Sequence, residues 1–372
     1  MAELVALALP GGRAFVDGLR RAWDNGDAVF PLDPRYPPAL ANVILDAVAP
    51  AWIIDADGAR TRRPRARPVD EGDALVVATS GSTGEPKAVV LTHTAVAASA
   101  WATSKRLGVD VHRDVWLACL PLSHVGGLSV ITRALVTATP VKVLPGFDRD
   151  AVMASGATLV SLVPTTLLRI DPAPFRWIVL GGSAPPPVLP TNVVTTYGMT
   201  ETGSGVVYDG SPLDGVEVAI DAGGQILIRG PMLLRAYRDG VDPKDAQGWF
   251  ATGDLGAWDP TGGRLIVHGR RGDLIITGGE NVWPEAVERV LLTHPAVADV
   301  AVAGSADPDW GHVVTAFVVP EADKAPPTLA ALRAHAKTEL PPHCAPRRLV
   351  VVAAIPRTPL GKVRRGELLG SS

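Results

Sequence analysis

Ala78-Thr79-Ser80-Gly81-Ser82-Thr83-Gly84-Glu85-Pro86-Lys87 is the stretch from which the rest of the chain is read. It lies between two apolar segments, 74–77 and 88–91. An apolar strand, a loop of hydroxyls and glycines, then a lysine is how a backbone is built to hold phosphate. Glycines let main-chain N–H groups turn inward, small hydroxyls add donors, and the lysine adds a mobile positive charge. No Gly-Lys-Ser/Thr triplet closes the loop, so the spacing is not that of the Walker nucleotide sites, and P-loop kinases and ATPases are disfavoured.

At 372 residues the chain suits two domains and can bury a substantial core. With 47% hydrophobic and 20% charged residues it reads as a soluble globular protein, and its apolar runs break well short of a membrane span. Glu3 and Pro10 interrupt the order of a signal peptide. Cys119 and Cys344 form no CxxC pair, so a reducing cytoplasm is the expected setting. A net charge of −3 offers no general case for nucleic-acid binding. The local run Arg60, Arg62, Arg63, Arg65 and Arg67, interleaved with Pro64 and Pro68, reads as a solvated linker.

Short Val/Ile/Leu-rich segments alternate with alanine-rich helical ones, the α/β signature. Strands are expected over 74–78, 115–120, 141–144, 158–163 and 177–180, with helices over 95–107 and 128–136. Thr92 or Thr94 is placed to cap the first helix. From Gly215 the pieces 216–220, 225–229 and 265–268 suggest a β-rich subdomain. A second unit, starting near Arg271, reads as helix 284–292, strands 299–303 and 313–319, helix 329–339 and strand 349–353. It is a small α+β domain of about 100 residues, giving domains 1–270 and 271–372.

Four further clusters carry chemistry. Thr195-Thr196-Tyr197-Gly198-Met199-Thr200-Glu201-Thr202 offers a ring to stack on a purine and a carboxylate for magnesium. In Trp249-Phe250-Ala251-Thr252-Gly253-Asp254 the aspartate suits ribose hydroxyls, or simply a β-turn. Gly269-Arg270-Arg271-Gly272-Asp273-Leu274-Ile275 and Pro356-Arg357-Thr358-Pro359-Leu360-Gly361-Lys362 follow.

In this order the clusters resemble the acyl-adenylating superfamily of acyl-CoA synthetases, peptide-synthetase adenylation domains and luciferases, over residues 74 to 365. Leu180-Gly181-Gly182-Ser183 and Ile228-Arg229-Gly230-Pro231 with Tyr237 match intermediate motifs of that family. The resemblance implies a large N-terminal domain of mixed sheets and helices that binds ATP and an acid, and a mobile C-terminal domain. It implies that Thr79, Ser80, Gly81, Ser82, Thr83, Gly84 and Lys87 hold the β- and γ-phosphates, and that Glu201 with Thr83 binds Mg2+. Gly181, Gly182, Ser183, Thr196, Tyr197, Gly198, Met199 and Thr200 would surround the nucleotide, with Asp254 and Arg270 at the ribose. Lys362 would bridge the carboxylate and α-phosphate, Arg271 and Gly272 would form the hinge, and Gly278, Gly279 and Glu280 the channel for coenzyme A. Gly272 stands where relatives often carry Asp or Lys; glycine still allows a large backbone change. The region before the phosphate loop is shorter than relatives carry, which leaves the pocket more dependent on a partner subunit in a homodimer.

The stretch from Ile275 to Pro284 looks like aryl- and acyl-CoA ligases, and no carrier domain follows. Pro121-Leu122-Ser123-His124-Val125-Gly126-Gly127-Leu128, followed by Arg133, is similar to the o-succinylbenzoate–CoA ligases of menaquinone biosynthesis, as are the compact length and the 210–218 segment. By that analogy His124 is catalytic and lines the acid pocket with Arg133 and Ser183. Arg133 sits in an apolar stretch where an unpaired charge is costly, and a guanidinium can grip a second carboxylate bidentately; a snorkelling surface arginine is the alternative. Another aryl or acyl acid, and a nucleotide-binding homologue without catalysis, stay open; the latter should lack Lys87, Glu201, Asp254 or Lys362, all of which are present.

Overall fold

The apolar runs flanking the hydroxyl-rich stretch form antiparallel strands, Asp73–Thr79 and Lys87–Thr92, in a register that sets Lys87 opposite Thr79. The computed structural model describes residues 2–79, 87–261, 263–358 and 361–369. Ser80, Gly81, Ser82, Thr83 and Gly84 of the phosphate-loop reading lie outside the described residues. Thr92 caps the next helix, His93–Leu107, its hydroxyl accepting from Ala95 N at 3.2 Å.

The chain is mixed α/β and divides into two units. One comprises Met1–Pro185, Leu189–Val218 and Ile228–Ala251, the other Pro186–Val188, Ala219–Leu227 and Thr252–Ser372. The first unit holds two seven-stranded sheets. In one, Leu4–Leu7, Ala28–Pro31 and Trp52–Ile54 run parallel beside the Asp73–Thr79 pair. In the other, Val141–Val143, Trp116–Ala118, Leu159–Leu162, Trp177–Leu180 and Val193–Gly198 run parallel in that spatial order. Strands such as Leu4–Leu7 and Leu159–Leu162 are buried along their whole length, as parallel strands covered on both faces must be.

The first 62 residues contribute four strands and the helices Arg13–Asp24 and Pro38–Val48, which the sequence reading left unassigned. Nor is the arginine run a linker. Arg60–Arg62 is an edge strand whose two arginines lie 4.0 and 5.2 Å from the centre of the Trp52 ring. Arg63 pairs with Asp46, and Arg67 donates to the carbonyls of Ala47 and Arg238.

The second unit contains a sheet built on the long hairpin Val297–Asp307 and Gly311–Pro320. Ile275–Thr277, Glu280–Val282 and Arg348–Val351 extend it. Helices Pro284–Leu291 and Leu329–Ala336 bury Val287, Leu291, Leu332 and Ala336 against Val300, Val302, Val314 and Val318.

Candidate active site

Strand direction decides where the site forms. Trp177–Leu180 and Val193–Gly198 are parallel neighbours, so Gly181, Gly182 and Ser183 leave one carboxyl end beside Thr196 and Tyr197 at the other. Trp116–Ala118 and Leu159–Leu162 point the same way, which brings the Pro121–His124 loop to that edge too. In open α/β sheets this edge is where ligands bind. Approach is close: Thr196 Oγ1 donates to Leu180 O at 3.2 Å, and a Cβ on Gly181 would lie 2.6 Å from that hydroxyl. Met199 and Thr200 lead into a 3-10 turn, Thr200–Thr202, that carries Glu201.

Glu201 and Lys87 meet on a residue to which the sequence reading gave no role. Tyr237 donates its hydroxyl to Glu201 Oε1 at 3.0 Å, and Lys87 Nζ stands 5.2 Å from the centre of its ring. Strand Ala236–Tyr237 places it there by pairing with Lys87–Thr92. A carboxylate at the hydroxyl and an ammonium near the ring thereby share one phenol.

His124 caps the Val125–Val136 helix from the carboxyl-edge loop. Its Nε2 is enclosed and has no hydrogen-bond partner among the described residues. Burial holds the imidazole below its usual pKa, Asp33 opposes this and Arg35 reinforces it, so the ring is neutral at neutral pH. Asp33 is itself buried and gripped by Arg35 through two contacts, 2.9 and 2.7 Å. The Asp33–Arg35 pair was invisible to sequence reasoning because it is some ninety residues distant from His124.

Arg133 lies in the last turn of the same helix and is only 2% exposed. Its guanidinium carbon sits 4.7 Å from the centre of the Trp116 ring, and Nη2 donates to Ser204 Oγ at 3.2 Å. Nη1 has no partner among the described residues. Leu91, Ala95, Ser99, Ser129 and Thr132 join Arg133 around a cavity of about 10 Å³, the room of one water molecule. No surface arginine snorkels here; a cation is buried with no carboxylate partner among the described residues. Cys119 nearby is inert, its thiol pushed up to about 12 by burial.

Within the second unit, Asp254 and Arg270 are opposite one another on paired strands, and Arg270 Nε reaches Asp254 Oδ1 at 2.9 Å. Arg270 also donates to Thr252 O at 2.9 Å. Lys362 follows Gly361, its N–H donating to Thr358 Oγ1 at 3.1 Å. Its side chain keeps solvent contact, yet the protein packed around the ammonium, and then Arg270, hold its pKa below the usual lysine value, with Asp254 and Asp273 opposing. Gly278 and Gly279 form the two-residue turn between Ile275–Thr277 and Glu280–Val282; both have positive φ, 59° and 87°, which a Gly-Gly hairpin turn requires. Glu280 is exposed at its end. Arg271 lines a cleft of about 420 Å³ with Leu274, Ile276, Asn281 and Trp283, the last stacked on His268 at 5.5 Å.

The same unit contains a buried charge cluster absent from the sequence reading. Arg365 is surrounded by Asp273, Glu285 and Glu288 at 3.1, 3.1 and 2.8 Å. Burial, only partly offset by Arg365, pushes Glu288 up to about 7 from an ordinary 4.5, and raises Glu285 as well. Three carboxylates around one guanidinium favour keeping a proton. Folded Glu288 therefore holds its proton to higher pH than the unfolded chain does. Stability is expected to fall as pH rises from about 4.5 to about 7, and Glu288→Gln to flatten that slope. Thermal melting across that range checks this; an unchanged slope would remove Glu288 as its source.

Set against known proteins, this arrangement has a family. The chain belongs to the AMP-binding enzymes: residues 41–238 match that family and 286–362 its C-terminal domain. It is 43% identical over 328 residues to the probable 2-succinylbenzoate–CoA ligase of Mycobacterium tuberculosis (strain ATCC 25618 / H37Rv), covering 81% of this chain and 85% of that protein. It is 36% identical over 336 residues to the 2-succinylbenzoate–CoA ligase of Bacillus mycoides (strain KBAB4), covering 79% and 69%. The o-succinylbenzoate CoA synthetase MenE of Bacillus subtilis, solved with the acyl-adenylate intermediate OSB-AMP, matches with a TM-score of 0.86 and 29% identity over 98% of this chain and 88% of that one. The same enzyme solved with ATP and a magnesium ion matches at 0.85.

Proposed function

We propose that this chain is an AMP-forming acid–thiol ligase whose acid is o-succinylbenzoate. A carboxylate resists thiol attack because oxide is a poor leaving group. In the first step a carboxylate oxygen bonds to the α-phosphorus of ATP and the bond to pyrophosphate breaks. In the second the sulfur of coenzyme A bonds to the acyl carbon and AMP leaves. Charge builds around phosphorus in the first step, so positioned cations are what the protein must supply.

In this reading Thr79, the loop after it and Lys87 hold the outgoing pyrophosphate. Gly181, Gly182, Ser183, Thr196, Tyr197 and Gly198 border the nucleotide, and Asp254 and Arg270 its ribose. Glu201, kept in place by Tyr237, is the carboxylate for Mg2+. Mg2+ typically binds through one or two carboxylates and the substrate phosphates, which a single protein carboxylate such as Glu201 suits. When bound, Mg2+ neutralises phosphate charge. Lys362 serves adenylation, then moves with the domain beginning at residue 271. The hinge is Gly272, where an added Cβ would meet nothing within 4 Å. Gly278, Gly279 and Glu280 border the channel for coenzyme A. The enzyme is a cytoplasmic homodimer in the same reading, which light scattering tests for its assembly. No helix among the described residues is long and apolar enough to cross a membrane.

The observation that carries the choice of acid is Arg133, a buried cation with no carboxylate partner among the described residues. o-Succinylbenzoate has two carboxylates; one is activated and the other needs such a partner. His124, neutral and with no partner at Nε2 among the described residues, borders the same acid. The test is substrate-dependent pyrophosphate release across a panel of acids, with and without coenzyme A. We expect o-succinylbenzoate to lead, and acyl-CoA to form only when coenzyme A is present. Turnover no better than with benzoate or hexanoate would reject this acid.

A further inference from the structure

Lys362 is a long side chain on a short segment, and an ammonium misplaced by about 1 Å can cost a hundredfold in rate. Two arginines secure that segment. Upstream, Arg357 donates to Gly361 O at 2.8 Å and pairs with Asp299 at 2.7 Å. Downstream, Arg365 stands three residues after Lys362 with its side chain only 10% exposed.

Arg365 has two kinds of partner. Nε donates to Val302 O at 3.0 Å, and Nη2 reaches Glu285 and Glu288 on the first turns of helix Pro284–Leu291. Glu288 also accepts from Val302 N at 2.8 Å, so this arm belongs to the domain core. Nη1 points elsewhere, to Asp273 Oδ2 at 3.1 Å. Asp273 lies in the turn Arg271–Asp273, immediately after Gly272, and is less buried than Glu288. Glu285 and Glu288 hold Arg365 to the helix, while Asp273 joins the Lys362 segment to the hinge turn.

We propose that Arg365 is a positioning residue for adenylation: its bond to Asp273 ties the Lys362 segment to the hinge turn and sets where the ammonium stands. The inference rests on Lys362 being the adenylation lysine, as read above. Removing the tie loosens Lys362 and slows acyl-adenylate formation. Attack of coenzyme A on a finished acyl-adenylate does not use the ammonium and is spared.

The experiment measures both half-reactions, pyrophosphate release from ATP and acid, and acyl-CoA formation from supplied acyl-adenylate. The variants are Asp273→Asn, Arg365→Lys and Arg365→Ala, with Lys362→Ala alongside. For Asp273→Asn we expect about a tenfold fall in kcat for adenylation, KM for ATP within threefold, and unchanged melting. Arg365→Ala should lose about a hundredfold and Arg365→Lys should recover part of it. Coenzyme A attack should stay within about threefold throughout. Equal loss in both half-reactions, or wild-type adenylation in Asp273→Asn, overturns the tie, and Asp273→Asn decides alone if Arg365→Ala does not fold. If Lys362→Ala shows no selective loss, the assignment of the lysine itself has failed, and the tie falls with it.

Discussion

Lys362→Ala is expected to lower acyl-adenylate formation by about a hundredfold to a thousandfold, the usual cost of removing one positioned group that meets developing charge. Acyl transfer to coenzyme A from supplied acyl-adenylate should stay within about threefold. The two steps make opposite demands on the same lysine. While the α-phosphorus is attacked, negative charge gathers on its oxygens and a nearby ammonium stabilises the transition state more than the ground state. In the proposed cycle the ammonium must be withdrawn once pyrophosphate has gone, so that the thiol can arrive. The environment of Lys362 adds a pH signature. Packing around the ammonium and the Arg270 guanidinium hold its pKa below the usual lysine value. The cation is the active form, so the alkaline fall of the adenylation rate should come at lower pH than an ordinary lysine gives, and Arg270→Gln should shift it upward. Stopped-flow or quenched measurement of each half-reaction decides the matter. Equal losses in the two steps would mean that Lys362 supports the fold of its segment and not the chemistry.

What could be read in advance follows from how far apart the interacting residues lie. Strands Trp177–Leu180 and Gln225–Arg229 coincide with the expected ranges, because each is a Val/Ile/Leu run bounded by residues that break it. The Val125–Val136 helix begins three residues earlier than expected. Gly126 and Gly127 lie outside the expected helix, yet a Cβ on Gly127 would lie 2.4 Å from Leu120 O, so glycine lets the helix start against its own preceding residues. The N-terminal strands, three or four residues each, carry too little periodicity to register. Ordered motifs gave away the chemistry of the site but not its wiring. Tyr237 between Lys87 and Glu201, Asp33 with Arg35 beside His124, and Asp273 with Arg365 all depend on sheet pairings or domain packing. No local pattern encodes such contacts.

For Arg133→Ala the expected result is a change of preference rather than a uniform loss. Use of o-succinylbenzoate, measured as kcat/KM, should fall about a hundredfold, and use of a monocarboxylate analogue that keeps only the activated carboxylate should stay within about threefold. A hundredfold corresponds to about 3 kcal/mol, within what truncating one partner of a buried charge pair costs. The substitution also empties a fully buried site and removes the contact with Trp116 at 4.7 Å, so some stability will go with it. Arg133→Met separates the two effects, because it restores bulk without charge: melting should recover while the preference for the dicarboxylate stays lost. The cavity that Arg133 helps to line has room for only one water molecule in this structure, which makes the outcome decisive. If Arg133 meets the acid, the wall formed by Ser129 and Thr132 must give way as the acid enters, and Ser129→Val should weaken the dicarboxylate about tenfold. If both Arg133 variants keep the wild-type ratio between the two acids, the guanidinium serves Trp116 and Ser204 alone, and the second carboxylate is held elsewhere.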